Sequence, residues 1–470
     1  MAENNSKSNN NSGSNNSNNI SGSKKVLGPV HVWALGVGIV LVGDFMGWNL
    51  GIKQGGSLAS LIGLWVMGCM YAGQVMMVSE MSAVMPESGG QYTMAKYFLG
   101  PLAAFNVGLM QVFEYTMLAA GDVIVVGQLL NSVLPGVRVL PFTILTLLLL
   151  AFINYRGAEA TLTLNFFITA VAFICIMILL FATSFWDPQT TLIRLKELTN
   201  GLPYGKLGLM AAIGYSCWFC LGIEGTAMAA DECRSQHRAI PFGAIAGLAT
   251  LLISGTVTWF VCSGLIPADE LGDSVYPLYE AALATGKLYV FVALFIGTIL
   301  SCLASANGCI NDSSHAWAAL SRDKMLPDLF AKEHPKYKSN YRAIIFLLPI
   351  ALAFAMTGLL DQVVTFSIFS ALMIYLLTCL MLYRFRKMYP VGKVKRVFTA
   401  PLFPLLPILV AIIVVCGLFG LHLNYGINLI SGAVFYLLAS IWFLKRRAKF
   451  IDKDKFLDAG LREWGKPEEM

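Results

Sequence analysis

Residues 43–51 read Gly43-Asp44-Phe45-Met46-Gly47-Trp48-Asn49-Leu50-Gly51. Three glycines at four-residue spacing flank an acid inside a run that is otherwise almost wholly apolar. Glycine weakens a helix by about 1 kcal/mol relative to alanine. Asp44 lies roughly 20 Å beyond His31 at the helical rise of about 1.5 Å per residue. A carboxylate at the centre of a membrane helix costs about 2.5–3.5 kcal/mol. Close helix packing would account for glycines of this spacing standing alone. The acid argues instead for an interrupted helix, and so does a second stretch of the same kind. That stretch is Gly214-Tyr215-Ser216-Cys217-Trp218-Phe219-Cys220-Leu221-Gly222-Ile223-Glu224-Gly225-Thr226. It falls five apolar runs later, so the two helices point opposite ways through a membrane. Glycine-interrupted runs at matching positions in two halves predict an inverted-repeat membrane fold with broken helices.

The rest of the chain agrees with a membrane setting. Of its 470 residues 57% are hydrophobic and 13% charged, about half the charge of an average soluble domain. The apolar residues form twelve runs near 30–52, 58–85, 102–130, 140–154, 162–184, 207–230, 240–265, 288–320, 342–360, 364–384, 401–420 and 426–444. Runs of roughly 20 residues match a helix crossing a hydrocarbon core of about 30 Å. They are continuous and not alternating, which excludes a membrane barrel. The expected class is therefore an all-α polytopic membrane protein with twelve transmembrane helices, helices 1 and 6 being discontinuous. The Asn/Ser/Gly tract of residues 1–25 has no apolar stretch, so it reads as a disordered tail and not a signal peptide.

Basic residues set the orientation. With the N-terminus inside, 27 of the 33 Lys and Arg fall in inward segments, and only Lys53, Arg138, Arg194, Lys196, Lys206 and Lys287 fall outside. Both termini are thus expected in the cytoplasm, which requires an even number of spans. The net charge of +6 follows from this asymmetry and needs no nucleic-acid partner. Most of the ten cysteines lie inside apolar runs. Cys217 and Cys220 have redox spacing, but within a membrane segment. The five histidines form no ligand cluster, so no metal site is expected.

The third run adds two acids. Glu114 sits near the midplane, and Asp122 lies two turns further on nearly the same face. No Lys or Arg lies at comparable depth. Asp44, Glu114, Asp122 and Glu224 then make an acidic interior without fixed counter-cations. Either they are protonated, or a mobile cation neutralises them.

At these residues the chain resembles the amino acid–polyamine–organocation superfamily over about residues 28–445. The segment Glu80-Met81-Ser82-Ala83-Val84-Met85-Pro86-Glu87-Ser88-Gly89-Gly90-Gln91-Tyr92, closing with Gly100-Pro101, is similar to its most recognisable motif. Ala230-Asp231-Glu232-Cys233 through Ile240-Pro241 and Leu320-Ser321-Arg322-Asp323-Lys324-Met325-Leu326-Pro327 are similar to its signatures after the sixth and eighth helices. Gly43 to Asn49, Glu114-Tyr115, Trp218-Phe219 and Ile223 to Ala230 resemble ethanolamine permeases most closely. Three departures stand out. His315 occupies a position where relatives usually carry Arg, Asp122 one where they are apolar, and the fifth helix has no Lys.

The resemblance implies a five-plus-five inverted repeat, 26–184 and 207–384. An external loop, 185–206, separates the halves, two further helices occupy 385–445, and a cytoplasmic tail runs over 446–470. It implies a non-enzymatic secondary transporter of the plasma or bacterial inner membrane. Its expected cargo is a small amine, ethanolamine by the resemblance, with an amino acid as the alternative. Gly43, Asp44, Phe45, Gly47, Glu114, Trp218, Gly222, Ile223, Glu224 and Gly225 are the expected substrate contacts. Trp218, Glu224, Asp122, Asn307 and His315 are the expected gating or coupling residues. No cofactor is expected beyond proton or sodium coupling. The expected partners are the substrate and the bilayer, in a monomer or homodimer.

Overall fold

The computed structural model describes residues 28–451 except 83, 85–88, 137, 158, 184–194, 197, 199–200, 234–235, 393–395 and 397, with the backbone alone at 159–166, 228–232 and 236–237. The 1–25 tail, the Met85–Ser88 part of the second-run motif, most of the 185–206 loop and the chain after 451 lie outside the described residues. So do the side chains of Ala230, Asp231 and Glu232.

The first span is built from three pieces, α1 (Pro29–Val40), α2 (Val42–Phe45) and α3 (Leu50–Gly55). Pro29 opens α1, where its missing N–H is no loss. The second span is α4 (Ser57–Ser82), and a short helix α5 (Gly90–Phe98) follows it. The third to fifth spans are α6 (Pro101–Val133), α7 (Val139–Tyr155) and α8 (Glu159–Ala182). The sixth begins as α9 (Gly205–Ser216) and goes on as two 3-10 segments, Cys217–Cys220 and Ile223–Glu232. Then come α10 (Gln236–Leu265), the connecting helices α11 (Ala268–Asp273) and α12 (Pro277–Ala284), α13 (Leu288–Arg322), α14 (Tyr341–Thr357) and α15 (Leu360–Met388).

The last helix, α16 (Leu405–Arg446), is one element of 42 residues with a non-helical kink at Tyr425. The two helices expected there are its two halves, meeting at that residue. The chain turns at a single residue and not over a loop. Leu406, at the start of α16, packs by Gly73, and Phe443, near its end, stacks on Phe105 at 4.5 Å. Tyr425, between them, donates to Asp361 at 2.9 Å, at the start of α15. The two halves therefore cross in opposite directions. Among the described residues seven helices are long and apolar enough to cross a bilayer and four more are shorter. Counting α16 twice makes twelve crossings. Leu145, Leu149, Phe152, Ile427 and Leu438 are exposed on the outer helix faces, where lipid replaces water.

The two interrupted spans break in the same way. In the first, Met46 is extended (φ −157°, ψ 160°) and Gly47 follows at φ +85°. In the sixth, Leu221 is extended (φ −64°, ψ 125°) and Gly222 follows at φ +97°. A positive φ is open to glycine and strained for most other residues. Each break frees backbone N–H and C=O groups inside the protein. The two spans pack antiparallel, with Gly36 against Ile223 and Thr226, Gly43 against Trp218, Gly51 against Ala212 and Gly55 against Gly208.

Candidate functional site

Asp44 sits in the single turn α2, just before the first break, and is fully buried. Its carboxylate finds no hydrogen-bond donor among the described residues. Gly255 of α10 lies beside it, a Cβ added there falling 3.4 Å from Asp44 Oδ1. Ser254 is the neighbouring hydroxyl, and it donates to the Leu251 carbonyl at 3.2 Å. Trp48 Nε1 donates to the Asp44 carbonyl at 3.1 Å and holds the turn.

Trp218 lies across the same break. A Cβ on Gly43 would stand 2.6 Å from the Trp218 carbonyl oxygen, and one on Gly47 would strike the indole itself. Gly43 and Gly47 thus make room for Trp218, whose buried Nε1 has no acceptor among the described residues. Phe219 packs on Trp48 with ring centroids 5.2 Å apart.

The second group forms around the sixth-span break. Glu114 of α6 and Glu224 are both buried and lie within electrostatic reach of each other. Tyr375 of α15 donates its hydroxyl to Glu224 Oε1 at 2.6 Å. Ser367 donates to the Glu114 backbone carbonyl at 3.1 Å. Glu114 Oε1 and Glu224 Oε2 have no partner among the described residues. Tyr71 of α4 donates to the Cys217 carbonyl at 3.0 Å and packs edge-on against Tyr375. Gly225 lets the sixth span pack closely here, since a Cβ there would lie 3.0 Å from the Tyr115 hydroxyl and 3.3 Å from Asp312 Oδ2. Gly222 has looser surroundings, with Ile39, Val40 and Tyr115 at 3.6–3.9 Å from an added Cβ. Cys220 lies within electrostatic reach of both Asp44 and Glu224.

The other expected residues stand apart from this cluster. Asp122 is buried against Ser305, Cys302 and Cys309 of α13. Asn307 accepts from Asn154 Nδ2 at 2.7 Å, joining α7 to α13. His315 is partly buried near Arg322, towards the end of α13. Phe45 packs towards Gly297 of α13, and Ile223 towards Gly36 and Gly247. Both are core contacts.

Sequence reasoning passed over Tyr375, Tyr71 and Asp312. Asp312 obeys the rule that found the other acids, being an acid within an apolar run. The tyrosines carry no such signal, because a buried tyrosine in a membrane helix looks like any other aromatic. The ion pairs among the described residues lie at span ends: Lys53 with Asp273, Lys96 with Asp323 at 3.1 Å, Arg386 and Arg396 with Glu80, and Asp328 with Lys324 and Arg447.

The amino acid permease family profile matches residues 30–447. An uncharacterized transporter of Rhizobium meliloti (strain 1021) is 46% identical over 448 residues, which cover 94% of this chain and 96% of that protein. A methylthioribose transporter of Bacillus subtilis (strain 168) is 23% identical over 446 residues, 88% of this chain and 93% of the relative. A serine/threonine exchanger of the same organism is 23% identical over 407 residues, 83% of this chain and 89% of the relative. With a matched profile running almost the whole length of a twelve-crossing helical fold, this chain belongs to the amino acid permease family and is a multi-pass membrane transporter, not an enzyme.

Proposed function

We propose that this permease carries a small ammonium-bearing metabolite, ethanolamine first among the candidates, by alternating access. The observation that carries the reading is a buried interior furnished with Asp44, Glu114 and Glu224, which no Lys or Arg faces among the described residues. An ammonium without a carboxylate suits such a site, because the acids attract its charge and no Lys or Arg among the described residues faces it to pair with an anion. The Met46–Gly47 and Leu221–Gly222 breaks offer backbone groups to the substrate hydroxyl. Trp218 closes over the first break.

The repeats span 26–184 and 207–384, and the first, second, sixth and seventh spans rock against the rest. The basic bias of the inward segments places both termini in the cytoplasm of a cell with this chain in its plasma or inner membrane. Proton or sodium coupling supplies the driving force, and the chain works as a monomer or homodimer.

A second reading is favoured by the relatives whose names mention amino acids: the serine/threonine exchanger, and a branched-chain amino acid permease of Bacillus subtilis at 21% identity. In that reading the substrate carboxylate meets the free N–H groups of the broken helices. Asp44 beside the first break opposes it. The test is direct binding of labelled ethanolamine to the purified protein in detergent. The amine reading predicts that Asp44→Asn and Glu114→Gln each weaken binding at least tenfold while the protein stays monodisperse. Undiminished binding by both variants would end it.

A further inference from the structure

We infer that the outward groove between α8 and α13 binds one anionic phospholipid, with its phosphate at Lys287 and an acyl chain along α8. The inference rests on the membrane setting of the chain and holds whatever the cargo is. Ile174, Met177, Ile178, Phe181 and Ala182 of α8 and Tyr289 of α13 line the groove, around about 310 Å³ of open space. That volume falls within the range of small-ligand clefts, about 300–1,000 Å³. The five α8 residues are spaced i, i+3, i+4, i+7 and i+8, so they form one stripe on one helix face. From Ala182 to Ile174 the stripe runs about 12 Å at the helical rise. This is close to the depth of one leaflet, half of a hydrocarbon core of about 30 Å. Ile174, Phe181 and Tyr289 are exposed, so the groove opens outward to the bilayer. An acyl chain is the apolar ligand that a bilayer presents at that depth.

The rim of the groove selects the headgroup. Lys287 is exposed, and its Nζ donates to the carbonyl of Ala182, the last residue of α8. The cation is thereby held at the end of the apolar stripe. An ammonium has three N–H donors, so two remain for a ligand. No carboxylate pairs with Lys287 among the described residues. Tyr289 joins an apolar ring to a polar hydroxyl, as aromatic residues at a membrane–water interface do. A phosphate oxygen is the acceptor that lipids offer at this level. Phosphatidylglycerol brings that phosphate without a cation of its own, whereas the choline of phosphatidylcholine competes with Lys287 for it. The next face of α8 packs inward. A Cβ on Gly297 of α13 would stand 2.8 Å from Cys175 Cβ and 3.4 Å from Phe45 Cε1. Phe45 adjoins Asp44, so a lipid seated in the groove bears on a helix that packs beside the first break.

The test is native mass spectrometry of the full chain, purified in detergent, stripped of lipid and titrated with phosphatidylglycerol or phosphatidylcholine of the same acyl chains. The first phosphatidylglycerol should be retained about fivefold more tightly than the first phosphatidylcholine. Lys287→Ala should erase that preference. Ile178→Trp fills the groove but keeps the lysine and its bond to Ala182, and it should weaken retention of both lipids. Where Lys287→Ala is not monodisperse, Ile178→Trp decides. Equal retention of the two lipids by the wild-type chain, or unchanged retention by Ile178→Trp, would overturn the site. Displacement of the lipid by inorganic phosphate at the same concentration would overturn it in favour of a free-phosphate site. A lipid-free dimer that Ile178→Trp dissociates would overturn it in favour of a second copy filling the groove.

Discussion

Gly43 shows how much rests on single residues here. Its missing side chain lets the first span press on the backbone of the sixth, where a Cβ would fall 2.6 Å from the Trp218 carbonyl and 3.3 Å from Phe219 Cα. Both atoms are main chain or bound to it, so neither yields by a rotamer change. Overpacking of a tight contact costs about 1–3 kcal/mol. Gly43→Ala should therefore lower the thermal midpoint in detergent and reduce transport, whereas alanine at Gly286, where an added Cβ meets nothing within 4 Å, tests only the backbone term of its positive φ. A Gly43→Ala protein with wild-type midpoint and uptake would show that the two spans are not held at this contact. The acid at Asp44 and the glycines around it were legible in the sequence because charge and flexibility are both out of place in an apolar run. Tyr375 was not. Its role comes from which carboxylate its hydroxyl meets, a fact set by the packing of α15 against the sixth span.

At the scale of elements, the ends of helices are tied by charge while their middles are not. Glu80, at the end of α4, is fully buried and receives Arg386 at 3.0 and 2.7 Å, Arg396, and the Ala400 N–H at 2.8 Å. This cluster fastens the second span to the chain between the tenth and eleventh. Deleting one partner of a buried pair costs about 3–5 kcal/mol, because the remaining charge is left without its counter-ion. Glu80→Gln is expected to lower the thermal midpoint more than Gly43→Ala does, and Glu80→Asp less than Glu80→Gln. A midpoint unchanged by Glu80→Gln would mean that the two guanidinium groups are satisfied without it. The sequence patterning made the spans legible to within a few residues, since their lengths follow from hydrocarbon thickness. It also placed both breaks. It did not show that α16 turns at Tyr425, because Gly420-Leu421-His422-Leu423-Asn424-Tyr425-Gly426 reads as an ordinary short loop.

Over the whole molecule the distribution of charge is the organising fact. Cations and their partners sit at the span ends, the outer faces of the helices are apolar, and the unpaired acids collect around two breaks in antiparallel helices. Such an interior discriminates by sign. On the reading proposed above it favours a cation and disfavours a carboxylate, which would separate an amine carrier from an amino-acid carrier built on the same fold. The measurement that tests this most directly is uptake of radiolabelled ethanolamine by proteoliposomes of the wild-type chain, with unlabelled ethanolamine, choline, alanine, serine, glutamate and arginine as competitors. The account predicts uptake above protein-free liposomes that unlabelled ethanolamine abolishes and that alanine, serine and glutamate leave in place. Absent uptake, or inhibition by one of those amino acids at the concentration where ethanolamine acts, would contradict it and assign the buried acids to an amino-acid permease.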